Sequence, residues 1–172
     1  HLETVNFVKA FALETIPPEI GNLQNLTSLR MDMSCLKTLP KEIGKLKNLR
    51  VLSISATGVE TLPDEIGDLE NLEYLDIHGN GIQTIPDSIC NLTKLQALDI
   101  GYTKLVTLPM NIGNLTELQR LDLFGCQLKT LPSSIKNLKQ LRYLNVYDNF
   151  GLEESYKKWF SESVYTCKND PA

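Results

Sequence analysis

Six leucines, Leu26, Leu49, Leu72, Leu95, Leu118 and Leu141, follow one another at intervals of 23 residues without a slip. A period this strict makes every stretch of chain repeat the same local structure. A 23-residue unit is too short to bury its own apolar side, so the units must stack and share one elongated core. Each unit opens L-x-x-L-x-[LIVM], as in Leu72, Leu75 and Ile77 or Leu118, Leu121 and Leu123. That alternation predicts a short strand with one buried face.

The second half of the unit reads [LI]-P-x-x-I, with prolines at Pro17, Pro40, Pro63, Pro86, Pro109 and Pro132. The isoleucine three residues on, from Ile20 to Ile135, and a leucine three beyond it suit one short helical turn on the outer side. Proline is expected at the first helical position, where no N–H is needed. Gly21, Gly44, Gly67 and Gly113 are expected to take a positive φ as the turn ends. Strands of successive units would lie about 4.8 Å apart as a parallel sheet lining a concave face.

The pattern L-x-x-L-x-L-x-x-[NSTC]-x-L-x-x-L-P-x-x-I-G-x-L resembles the 23-residue leucine-rich repeats of Ras-suppressor-like proteins, plant intracellular Ras-group proteins and related bacterial proteins. The resemblance runs over about residues 2 to 152. It implies an α/β repeat solenoid: a right-handed arc with a parallel concave sheet and short helical turns on the convex side. A fold of this kind hosts many functions, so function must be argued from the surface.

The expected organisation is repeats over 1–151, with an irregular first unit and units starting at 26, 49, 72, 95, 118 and 141. A C-terminal capping helix over 152–165 and a frayed tail over 166–172 would follow. Leu152, Tyr156, Trp159, Phe160 and Val164 recur at helical spacing, which suits a helix shielding the last unit. In the first unit Leu2, Val5 and Phe7 lie one residue early. The position that holds a ladder-forming Asn in the family is filled by Ser34, Thr57, Asn80, Thr103, Cys126 and Asn149. The ladder is expected to be thinnest at Cys126, a weak donor.

A net charge of -4, from 21 acids against 17 bases, gives no broad basic surface for phosphate backbones, so nucleic acid is not an expected partner. No run of about 18 apolar residues could span a membrane. The chain begins at His1, so a removed leader or an upstream region stays open. Cys35, Cys90, Cys126 and Cys167 form no C-x-x-C pair, and the three inside the repeats, Cys35, Cys90 and Cys126, are read as small buried or half-buried fillers without disulfide or metal role. This favours a reducing location, cytoplasmic or delivered into a host cytoplasm, over a secreted or cell-surface one. Asn25, Asn91 and Asn114 each begin an N-L-T glycosylation acceptor, read as a by-product of the repeat.

Strand alternation predicts which side chains line the concave face. One column holds Arg30, Ser53, Asp76, Asp99, Asp122 and Asn145; its neighbour holds Asp32, Ser55, His78, Gly101, Phe124 and Tyr147. Tyr74, Arg120 and Tyr143 flank them on one side, with Met33, Tyr102 and Asp148 on the other. Asp76, Asp99 and Asp122 should raise one another's pKa or attract a cation, yet they are read as a solvated or partner-binding row. No Ser/His/Asp set, phosphate loop or H-E-x-x-H motif occurs, so no catalysis and no cofactor are expected.

The resulting expectation is a monomeric protein-binding module whose partner, another protein with a basic patch, meets Arg30, Tyr74, Asp76, His78, Asp99, Tyr102, Arg120, Asp122, Phe124, Tyr143 and Tyr147. Two alternatives stay open: a substrate-recognition arm of a larger effector or signalling enzyme, and a cation- or carbohydrate-binding surface protein.

Overall fold

The computed structural model describes residues 2–160. Seven three-residue strands lie in chain order in one parallel sheet: β1 Thr4–Asn6, β2 Ser28–Arg30, β3 Val51–Ser53, β4 Tyr74–Asp76, β5 Ala97–Asp99, β6 Arg120–Asp122 and β7 Tyr143–Asn145. The register advances by 23 residues per step, pairing Leu52 with Leu75, Leu98, Leu121 and Leu144 in turn. Between β1 and β2 the step is 24, Val5 against Leu29, so the early spacing of the first unit is a one-residue insertion in the connection and not a break in the sheet.

On the opposite side run short 3-10 helices: η1 Pro18–Asn22, η2 Lys41–Lys45, η3 Asp64–Asp68, η4 Asp87–Asn91, η5 Ile112–Asn114 and η6 Ser133–Asn137. The motif leucines and isoleucines from strand and helical turn meet in one continuous core, in which Leu49, Leu52, Ile54, Ile66, Leu69, Leu98 and Ile112 are fully buried. Full burial of each such side chain is worth about 1.5–3 kcal/mol, and the stack allows every unit this burial.

The helical turns correct two expectations. Pro40, Pro63, Pro86 and Pro132 stand one position earlier than expected, at the cap, with ψ between 142° and 150°. Their carbonyls accept the N–H of the isoleucine three residues on, as Ile43 to Pro40 at 3.0 Å. Proline suits this site because its fixed φ is already right and no N–H is wanted.

The turn glycines do not take positive φ. They sit where successive turns touch: a Cβ on Gly44 would lie 2.6 Å from the Glu65 carbonyl oxygen, and one on Gly67 or Gly113 would meet the Ser88 or Ser134 carbonyl still more closely. Where the fourth unit carries Cys90 in place of glycine, the following turn is irregular. Asn111 takes φ -98°, ψ 19°, and η5 is cut to three residues.

Positive φ belongs instead to the residue before each ladder position: Met33, Ala56, Gly79, Tyr102, Gly125 and Asp148. The asparagines of the ladder bridge neighbouring units. Asn80 donates to the carbonyls of Ile54 and Ile77, both at 2.9 Å, and Asn149 donates to Leu123 and Val146 at 2.8 and 2.9 Å. Cys126 keeps the same geometry, its Sγ 3.4 Å from the Ile100 carbonyl and 3.3 Å from Thr103 Oγ1. The rung is therefore present, and only its thiol chemistry is weaker. A second ladder lies before the strands, at their other end, Asn48 to the Gln24 carbonyl and Asn71 to the Lys47 carbonyl, both at 2.8 Å.

At the C-terminal end the described part of the expected 152–165 helix holds a 3-10 segment, η7 Glu154–Trp159. Tyr156 is buried there, and Leu152, Trp159 and Phe160 pack partly against the core. Residues 161–165, the tail and Cys167 lie outside the described residues. Cys35 is exposed and so corrects the reading of the cysteines as fillers, whereas Cys90 and Cys126 are buried and all three are free thiols.

Candidate functional site: the concave face

The parallel register places the predicted columns side by side. Tyr74, Ala97, Arg120 and Tyr143 form one row across the sheet, and Asp76, Asp99, Asp122 and Asn145 form the next. The acidic row is only partly solvated. Asp76 is 8% and Asp122 7% exposed, so flanking side chains largely cover both carboxylates.

Burial of a carboxylate requires partners, and both have them. Asp76 Oδ1 lies 2.8 Å from His78 Nδ1 and accepts the His78 N–H at 3.1 Å, while the Tyr74 hydroxyl donates to Oδ2 at 3.4 Å. Asp122 Oδ2 receives Arg120 at 2.9 Å and the Tyr143 hydroxyl at 3.2 Å; its Oδ1 receives the Phe124 N–H at 3.1 Å. The Arg120 guanidinium also lies over the Tyr143 ring, 3.9 Å from its centroid. Arg30 stands over Tyr74 more loosely, at 5.9 Å.

Asp99 differs. It is partly exposed, and its one hydrogen bond among the described residues is the Gly101 N–H at 3.0 Å. Burial pushes its pKa up, the Asp122 and Asp76 charges add to the rise, and the Gly101 N–H and His78 oppose it. The expected mutual repulsion is therefore present at Asp99 but secondary to desolvation. Burial also raises the Tyr74 phenol, with Asp76 and Asp99 adding to the shift. One oxygen or nitrogen from each of Asp76, His78 and Asp99 falls within 4.8 Å of the others, a spacing that could hold a cation.

Towards the C-terminal half lies an aromatic ledge. The Tyr102 and Phe124 rings meet edge to face at 4.8 Å, and Phe124 and Tyr147 stack at 6.0 Å. Tyr102 is 63% and Tyr147 52% exposed. Tyr102 takes φ 54°, a costly conformation for a bulky side chain, and this turns its ring out beside the sheet.

In the N-terminal half the corresponding space is filled by an internal network. Asp32 Oδ1 accepts the Ser53 hydroxyl at 2.5 Å, the Ser55 hydroxyl at 2.8 Å and the Ser55 N–H at 2.9 Å. The sequence reading placed Asp32 in the right column without seeing this commitment. Ala97 is absent from the predicted columns and Gly101 stands in one without a role; both lack the bulk of Tyr74 and His78 on one side and of Arg120 and Phe124 on the other.

Among the described residues no helix is long and apolar enough to cross a membrane. A model of the leucine-rich repeat region matches residues 40–163. None of the curated proteins matches the chain. Solved structures do. A leucine-rich-repeat protein of Leptospira interrogans is 32% identical, with a TM-score of 0.70 over 81% of this chain and 45% of its own. The chain thus spans less than half of that protein.

The leucine-rich repeat domain of the type III effector XopL is 27% identical, with a TM-score of 0.75 over 96% of this chain and 68% of the other. The leucine-rich-repeat ectodomain of the Arabidopsis receptor kinase HAESA, solved with an IDA peptide hormone ligand, is 35% identical at a TM-score of 0.70 over 76% and 23%. With the 23-residue register, the buried leucine frame and the family match over most of the chain in agreement, this protein belongs to the leucine-rich-repeat family.

Proposed function

We propose that the protein is a non-catalytic recognition module that binds a protein or peptide partner on its concave face, centred on the ledge of Tyr102, Phe124 and Tyr147. The observation that carries this reading is the exposed aromatic cluster held in the turns that directly follow parallel strands β5, β6 and β7. Aromatic side chains fixed in advance lose little entropy on binding and dominate interface energetics. The peptide-bound HAESA ectodomain, of the same repeat architecture, supports the class of ligand. The net charge of -4 and the carboxylates at the sheet favour a partner with basic residues.

A second reading, a recognition arm of a larger protein, is favoured by the likeness to the XopL repeat domain and by the fraction of the longer solved chains that this one spans. Both readings use the same surface. Quantitative pull-down tests it: Tyr102→Ala and Phe124→Ala should each lower capture of the specific partner, while Lys45→Glu and Asp68→Lys, on the exposed convex turns, should leave it unchanged. The converse pattern would place the site on the convex side.

A further inference from the structure

Strands β4, β5 and β6 present the same backbone and differently sized side chains. At β4 the buried carboxylate lies between Tyr74 and His78, and both bond to it. At β6 the carboxylate lies between Arg120 and Phe124, with Arg120 and Tyr143 bonded to it. The two flanking positions at β5 hold Ala97 and Gly101, which supply no side-chain donor, so Asp99 forms no salt bridge among the described residues. The Arg120 guanidinium, bound to Asp122 and stacked on Tyr143 of β7, leans away from this gap. His78 offers a ring nitrogen within 4.8 Å of an Asp99 oxygen, the Tyr102 and Phe124 rings meet edge to face after the next strands, and a Cβ at Gly101 would lie 3.3 Å from both Asp99 Oδ1 and the Phe124 carbonyl oxygen.

A carboxylate drawn partly out of water beside two other acids, with no side-chain donor at either flanking position of its own strand, is complementary to a cation on a slender apolar stem. We propose that this gap is a socket for one Lys or Arg side chain of a bound peptide segment, with Asp99 accepting hydrogen bonds from the cationic head and the Phe124 and Tyr102 rings covering the stem. The proposal rests on the reading of the concave face as the recognition surface. It names the residue type in the partner that this face selects. A neutral or acidic side chain at the same point would leave Asp99 desolvated and unpaired, so the socket acts chiefly by discrimination.

The probes are N-acetyl-arginine amide and N-acetyl-lysine amide, with N-acetyl-glutamine amide as the neutral control, titrated into the full chain and followed by amide chemical shifts. The cationic probes should shift Asp99, Gly101 and their strand neighbours, and the neutral one should not. Asp99→Asn should weaken this response at least tenfold. Asparagine already occupies the equivalent position at Asn145, where Oδ1 accepts the Tyr147 N–H as Asp99 accepts Gly101. Ala97→Arg, which copies the Arg120–Asp122 pair of the next strand, should abolish it while leaving the melting temperature near that of the parent.

Shifts that survive both substitutions, or that scatter over convex acids, would overturn the socket. So would equimolar Zn2+ alone shifting Asp76, His78 and Asp99 while the cationic probes leave Gly101 unmoved, which would make this a metal site. If partner affinity is unchanged by Asp99→Asn and Ala97→Arg but falls with Tyr102→Ala, the socket fails and the concave reading stands. If no concave substitution affects partner affinity, both fail.

Discussion

The two faces of this solenoid are built from the same 23-residue units and differ in what they repeat. On the convex side nearly every unit offers the same Pro-x-x-Ile turn, and the glycine after that isoleucine lies against the carbonyl of the next turn. On the concave side the backbone is equally regular, yet residues in register run Tyr74, Ala97, Arg120, Tyr143 and His78, Gly101, Phe124, Tyr147. Uniformity marks positions fixed by packing against an identical neighbour. Variation marks positions released from that demand, and at Asp99 it leaves one carboxylate without the partner that its neighbours have.

The largest expected effect separates two kinds of glycine. Gly44→Ala would drive a Cβ to 2.6 Å from the Glu65 carbonyl oxygen and 2.8 Å from its Cβ, a clash between backbones that cannot easily give way. A loss of about 3 kcal/mol is expected. Gly79→Ala meets nothing closer than 3.5 Å and bears only the left-handed φ of 68°, a cost of about 1 kcal/mol. Chemical denaturation of both variants measures the difference. Equal losses would mean that the convex turns are looser than described.

A smaller effect concerns the concave charge. Because burial raises the Asp99 pKa, the folded state holds its proton more tightly than the unfolded chain does. Stability from this group is therefore greatest when it is protonated and falls as pH rises from the ordinary value of 3.8 through the raised one. Beyond burial and the Gly101 N–H, the charged groups that bear on it are Asp122 from β6 and Asp76 from β4, which add to the rise, and His78, which opposes it. Asp99→Asn should raise the melting temperature at pH 7, and the gain should disappear in acid. A melting temperature lowered at pH 7 would show that the ionised carboxylate stabilises the free protein.

Cysteine reactivity gives the smallest change and sharpens the contrast between surface and core. Burial lifts the Cys90 thiol to about 11, with Asp87 adding to the shift, and lifts Cys126 also. Both stay protonated and shielded at neutral pH, whereas Cys35 is exposed. Peptide mapping after brief native alkylation should find Cys35 labelled well before the other two. Equal labelling would mean that the units open readily.

The fold was legible because each of its determinants recurs: six leucine frames specify strand, turn and stacking together, and one irregular unit costs nothing but a residue in a loop. What the period could not tell was why a residue recurs. Gly67 and Gly113 looked like turn endings and serve close approach, while the truly left-handed position is hidden behind Met33, Ala56, Tyr102 and Asp148, residue types that do not announce it. Alternation placed the concave columns correctly, but burial within a column depends on the size of the residues two positions away. Asp76 and Asp122, read as part of a solvated or partner-binding row, are largely covered by Tyr74, His78 and Arg120, and alternation alone gives Ala97 and Gly101 no role.

The recognition role of the concave face is tested most directly by calorimetric affinities of one purified partner for the parent, Phe124→Ala and Lys45→Glu. Truncating a central aromatic anchor should cost about 2 kcal/mol, roughly thirtyfold in Kd, while the convex substitution should change Kd less than twofold. A Kd unmoved by Phe124→Ala and raised tenfold or more by Lys45→Glu would contradict the account.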